Sequence, residues 1–168
     1  MVLQLISKGR DYILKEQASP LGSLKFPKWY SQNAIIELDK RQIEIKKKSM
    51  WSNSFQILER NAPIGCIKSN WKGILIIELK DQNRRLKTFR FKSKGVFKMN
   101  FQLFDERQKH LLTFHQTRSW KKMKSDYQIE LIEPLQELDL KLLSLSTTFC
   151  IILFESQIAT AGATGAVG

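Results

Sequence analysis

The chain is poor in the residues that catalytic and metal chemistry most often need. Its only cysteines, Cys66 and Cys150, sit apart in strand-like or apolar stretches. They read as small buried hydrophobes of a reducing compartment rather than as a disulfide framework. The only histidines, His110 and His115, are five residues apart, an odd spacing that sends strand side chains to opposite faces. With no carboxylate or thiolate at ligand spacing, a metal pair is not expected. No GxSxG, HExxH or Gly-rich phosphate loop occurs. Met1 to Arg10 lacks the basic start and long apolar run of a secretory leader. The most apolar segment, Leu142 to Phe154, has thirteen residues without a charge. As a helix it reaches only about 20 Å, short of the ~30 Å of a bilayer core. These absences point to a cytoplasmic, non-enzymatic protein with no cofactor, no metal and no transmembrane span.

Positive charge is abundant. Lys and Arg number 28 against 16 Asp and Glu, a formal charge of +12. Such a field attracts polyanions, whether nucleic acid, an anionic membrane leaflet or an acidic protein.

Apolar residues recur at every second position in Ala34-Ile36-Leu38 and Ile43-Ile45, on either side of the turn-prone Asp39-Lys40-Arg41, which is a hairpin signal. Further pairs follow: Ser54 to Leu58 with Ile64 to Ile67, Ile74 to Leu79 with Leu86 to Phe91, and Val96 to Leu103 with Leu111 to Phe114. Tyr127 to Ile132 makes a last strand before Pro134. Short strands at regular spacing predict a mainly β fold, an antiparallel barrel or sandwich. The alternation is sharpest around Phe89, Phe91, Phe97, Met99, Phe101 and Leu103, with Thr88, Arg90, Lys92, Lys94 and Lys98 on the other face.

Between Ser125 and Leu140 the charge reverses, with Asp126, Glu130, Glu133, Glu137 and Asp139 and no Lys or Arg. Asp139 is placed to cap a helix starting near Leu140, and carboxylates before a helix N-terminus are favoured there. Thr147, Thr148, Ile151 and Ile152 are β-branched and would also suit a central strand, but the length of the segment favours a core helix over about residues 140–155. The architecture expected is one domain over residues 1–156, a closed or nearly closed antiparallel β-barrel around that helix, with residues 157–168 as a flexible tail.

Several short strings carry a resemblance. They are Lys46-Lys47-Lys48-Ser49-Met50-Trp51 before Ser54-Phe55-Gln56-Ile57, Ile64-Gly65 followed by Lys68, Trp71-Lys72, and Glu137-Leu138-Asp139 leading into the apolar segment. In these and in its organisation from Leu24 to Glu155 the chain resembles the tubby C-terminal-like superfamily, which includes LURP-one-related proteins and phospholipid scramblases. The resemblance implies a closed barrel threaded by a hydrophobic C-terminal helix. In animal members basic barrel side chains hold phosphoinositide headgroups; no such pocket maps residue by residue onto this chain. The acidic calcium-binding segment and cysteine-rich palmitoylation run of a scramblase are missing.

The densest cationic stretch, Lys80 to Lys98, includes Arg84, Arg85, Lys87, Arg90, Lys92 and Lys94 against the single acid Asp81. Converging on adjacent strands, these would grip phosphates, with Arg84 and Arg85 making bidentate contacts at a hairpin end. The plainer reading is a solvated wall whose charges block edge pairing. A second group, Lys46, Lys47 and Lys48 beside Trp51, suits lipid headgroups or stacked bases if the indole is exposed; the alternative, a Trp51 packed in the core, is the expectation. Three successive lysines cannot share one strand face, so the chain turns or bulges there. A third group, Trp120-Lys121-Lys122-Met123-Lys124, reads as an exposed loop.

The function expected from these residues is docking on anionic phospholipid at a membrane surface through a cationic barrel face. The alternatives are a nucleic-acid-binding barrel, disfavoured because the phenylalanines alternate with the lysines rather than joining them, a scaffold for a protein partner, and an enzyme, which would need a deep cleft holding His110 or His115.

Overall fold

A computed structural model describes residues 2–70, 72–95, 99–117, 124–135 and 138–164. Twelve strands are found among them: β1 (Val2–Lys8), β2 (Asp11–Glu16), β3 (Ser19–Lys25), β4 (Ala34–Leu38), β5 (Arg41–Lys47), β6 (Phe55–Glu59), β7 (Ala62–Ser69), β8 (Leu75–Lys80), β9 (Leu86–Lys94), β10 (Asn100–Phe104), β11 (His110–Thr117) and β12 (Asp126–Leu131). Each pairs antiparallel with its neighbour in sequence, and β12 returns to β1 through Val2–Glu130 and Leu5–Tyr127, so the sheet closes into a barrel without an unpaired edge. The first three strands extend the sheet beyond those that the sequence pattern marked.

The helix α1 (Leu140–Thr164) fills the barrel. Residues 142–151 are all buried, and a run that long covers every side of a helix, so the barrel wall surrounds it. Phe149 lies 4.9 Å from Phe55 and 6.1 Å from Phe26, and Phe154 lies 5.8 Å from Phe101 and 6.0 Å from Phe91, measured between ring centroids. The hydroxyls that an apolar core has to accommodate are partly absorbed by the helix itself. Thr147 Oγ1 donates to the Leu143 carbonyl and Thr148 Oγ1 to the Ser144 carbonyl, each at 2.8 Å.

Asp139 caps the helix as expected. Its Oδ1 accepts from the backbone N–H groups of Lys141 and Leu142 at 3.1 Å. The other described acids of that segment have separate partners on the wall: Asp126 holds Ser7, Glu130 faces His115, and Glu133 pairs with Lys109. The helix also runs past the boundary expected from sequence. Residues 157–164, read as tail, continue it, because the alanines there favour helix and Ser156 and Thr160 bond back to the carbonyls of Leu153 and Ser156. Leu140–Gly162 is long and apolar enough to cross a membrane by length and composition, but its first part is the barrel core.

The two rims differ. At the lower rim, where α1 begins, three connections are two-residue turns, 17–18, 39–40 and 60–61, with left-handed residues Gln17, Asp39, Arg60 and Asn61. At the upper rim, where α1 emerges, lie the longer connections 26–33 and 48–54. Glycine is required within the wall as well. A Cβ on Gly65 would stand 2.2 Å from the Glu78 carbonyl oxygen.

Candidate functional site

The cations expected to form one patch are spread along the barrel's height. Arg90, Lys92 and Lys94 are exposed on the outer face of β9 while Phe89 and Phe91 are buried, as the alternation predicts. Arg84 and Arg85 sit in the turn after β8 at the lower rim. There Asp81 accepts from the N–H groups of Asn83 and Arg85 at 2.8 Å. Lys87 has the inward parity of Phe89 and approaches the buried Asp81 carboxylate at 3.9 Å. From Leu86 to Lys94 the strand climbs about 26 Å, so Arg84 and Arg85 do not meet Lys94. Lys46 and Lys47 end β5 at the upper rim, four strands away from β9, and Lys48 begins the turn that follows. The chain thus turns within the lysine triplet instead of holding it on one face.

A different grouping appears at the upper rim. Trp51, expected in the core, is 95% exposed, and Met50 is 86%, Trp29 82% and Tyr30 69% exposed. The correction has a local cause: β5 ends at Lys47, and the strand parity that would bury Trp51 does not extend into the turn. These tips stand on ordered loops. Lys48 N–H donates to the Ser54 carbonyl at 2.8 Å, closing one loop, and Asn33 Oδ1 accepts from Lys47 N–H at 3.0 Å, joining it to the neighbouring one. Phe26 N–H donates to Asp11 Oδ1 at 2.9 Å. Trp29 and Tyr30 meet edge to face at 5.8 Å, with Lys28 Nζ 5.9 Å from the Tyr30 ring.

Charge follows the same division. Among the described residues of the upper-rim connections, 9–10, 26–33, 48–54, 70–74, 95–99 and 118–125, there are five Lys and Arg (Arg10, Lys28, Lys48, Lys72 and Lys124) and no Asp or Glu. The described residues of the lower-rim connections, 17–18, 39–40, 60–61, 81–85, 105–109 and 132–139, hold six acids and six bases. Both described tryptophans, Trp29 and Trp51, fall in the upper set, and no described Phe, Trp or Tyr in the lower. Trp71, Phe97, Lys98, Trp120, Lys121, Lys122, Met123 and Glu137 lie outside the described residues. Sequence periodicity did not find this rim, because the signal lies in which connections share an end, and that depends on the topology.

Beneath the rim is a polar cluster. Tyr127 OH donates to Glu155 Oε1 at 2.5 Å, and burial with that carboxylate beside it raises the phenol's pKa. Lys124 Nζ donates to the Arg10 carbonyl at 3.0 Å over the rings of Tyr12 and Phe26, and burial lowers its pKa.

The remaining chemistry-bearing groups have partners on the wall. A bulge at Leu103 and Phe104, where Phe104 pairs with His110 and Leu103 with Leu112, puts an extra residue into β11. His110 and His115 therefore both face outward, not to opposite sides. His115 Nε2 is 2.9 Å from Glu130, and His110 stacks on Phe104 at 5.0 Å with Lys92 at 4.6 Å from the same ring. Burial and a hydrogen bond to Glu78 push the Cys66 thiol up to about 11, so it is no thiolate nucleophile at neutral pH. Among the described residues no cluster of His, Cys, Asp or Glu could hold a metal ion. A cleft of about 1020 Å³ at the lower rim is lined by Arg41, already bridged to Glu59 and Asp139 at 2.7 Å, and contains neither histidine. Comparison of the chain with family models, curated proteins and solved structures yields no match.

Proposed function

We propose that this protein is a tubby-like barrel that docks peripherally on anionic membrane lipid, and that its upper rim, rather than the β9 wall, faces the bilayer. One observation carries the reading: among the described residues the upper-rim connections hold five bases, no acids and both tryptophans, Trp29 and Trp51, while those of the lower rim balance six acids with six bases and have no aromatic residue. A dipolar barrel of this kind orients as it approaches a negative surface. Each Lys or Arg close to an anionic leaflet contributes about 1 kcal/mol, fading beyond a Debye length of about 8 Å at physiological salt. Indole rings settle at the headgroup level, where one side is apolar and the other wet.

Single-stranded nucleic acid is the runner-up, since Trp and Lys now share an end. The ring nearest the β9 cations does not favour it: Phe104 has Lys92 within 4.6 Å and is stacked on His110, which leaves little open face for a base. Flotation with neutral and anionic liposomes over a salt series, with single-stranded DNA as competitor, tests the reading. Flotation restricted to anionic vesicles and undiminished by sub-micromolar DNA supports it. Tight DNA binding without flotation would transfer the rim to nucleic acid.

A further inference from the structure

Docking by charge alone needs no exposed indole, yet the upper rim has two pairs of large apolar tips. We infer that Trp29–Tyr30 and Met50–Trp51 are insertion loops that enter the interfacial layer of an anionic bilayer, giving the attachment a component that salt does not remove. The inference rests on the membrane reading above. Five described large hydrophobics are exposed at this rim, the two pairs and Ile158, and the two pairs are the most exposed of the described chain, each at 69% or more. The exposed ones at the lower rim, Val2, Leu86 and Ile132, are aliphatic and only about half uncovered. Single exposed apolar side chains are ordinary; a cluster at one end of the fold marks a surface that something covers.

Three features say that the cover is a lipid interface. Each pair adjoins a lysine, Lys28 or Lys48, at the base of its loop, so an inserted ring leaves a cation at phosphate height. Among the described residues no carboxylate lies in the upper-rim connections to oppose burial. The part of α1 that emerges among the loops, residues 156–164, is uncharged, and its hydroxyl groups Ser156 and Thr160 donate to the helix's own carbonyls at 2.8 and 2.9 Å. The loops are also braced through Asn33 and Ser54, so little order has to be gained on insertion.

The test compares wild type with W29S/W51S on vesicles of 30% phosphatidylserine, at low salt and at 0.5 M NaCl, together with quenching of tryptophan fluorescence by brominated lipid in a W71F/W120F background. The exposure of both rings predicts that W29S/W51S keeps the wild-type melting temperature; M50D is a second variant that acts on the same loop. Expected are binding of both proteins at low salt, retention of wild type but at least tenfold loss of the variants at high salt, and quenching of the two remaining indoles. Low-salt binding with equal release by salt and no quenching would overturn insertion and leave electrostatic docking standing. No binding at low salt by any of them would overturn the docking reading itself. Burial of the tips in a salt-stable dimer, seen as doubled mass without quenching, would also overturn it.

Discussion

Truncating Phe149 to alanine removes a ring buried inside the barrel. The residue is 1% exposed and contacts Phe55 edge to face at 4.9 Å and Phe26 at 6.1 Å, so its cavity is bounded by β6, by Phe26 just after β3 and by the rest of α1. A closed wall has little freedom to collapse into the space, which puts the loss near the upper part of the usual range for such truncations, about 4 kcal/mol. In a chain of this size that corresponds to a fall in melting temperature of about 8–16 °C. Urea unfolding followed by far-UV circular dichroism gives the free energy directly, with the slope expected to stay unchanged because the folded state is still the same barrel. Pairing the change with F55A adds a sharper requirement. The edge-to-face contact predicts that the two losses are non-additive by about 0.5–1.5 kcal/mol. A loss under 1 kcal/mol for F149A, or strict additivity with F55A, would refute the placement of the helix inside the barrel.

Three further changes probe separate parts of the fold. Gly65→Ala places a Cβ 2.2 Å from the Glu78 carbonyl oxygen, and overpacking predicts a loss of about 3 kcal/mol in urea titration, whereas Gly162→Ala, with open space around it, should be neutral or slightly stabilising. Asp139→Ala removes the cap and the Arg41 ion pair, for a loss of about 1–2 kcal/mol in the same assay. Glu78 has its pKa lowered chiefly by the Lys68 hydrogen bond at 2.5 Å. Its contribution is therefore fully present above the ordinary carboxylate pKa of 4.5 and disappears as pH falls through the lower folded value. Thermal melts of wild type and E78Q between pH 7 and pH 3 should differ most at neutral pH and converge in acid; a constant difference would count against that linkage.

Much of the fold was legible because a barrel of hairpins is a local object. Ile36, Leu38, Ile43 and Ile45 alternate into the core exactly where a two-residue turn separates their strands, and Asp139 marks the helix start. The first three strands were harder to see. Leu3 and Leu5, then Tyr12 and Leu14, alternate inward, but β3 mixes Pro20, Gly22 and Ser23 into its span, and β2 pairs with it through a bulge at Leu14 and Lys15. A bulge also defeated the histidine argument, since one added residue at Leu111 reverses the parity on which it depended. The helix ran long because small residues look like a tail when propensity is judged without the preceding turns. The site was least legible of all. Arg84 and Lys94 look adjacent as text and lie at opposite rims, while Trp29 and Trp51 look unrelated and stand on loops joined by the Asn33–Lys47 hydrogen bond.

The claim that the upper rim, and not net charge, directs docking is tested most directly by two charge reversals of equal size. K28E/K48E and R84E/R85E each lower the formal charge from +12 to +8, the first at the upper rim and the second at the lower. Flotation on anionic vesicles at 0.1 M salt should fall at least tenfold for K28E/K48E and remain near wild type for R84E/R85E. Equal loss in both, or a greater loss in R84E/R85E, would contradict the account.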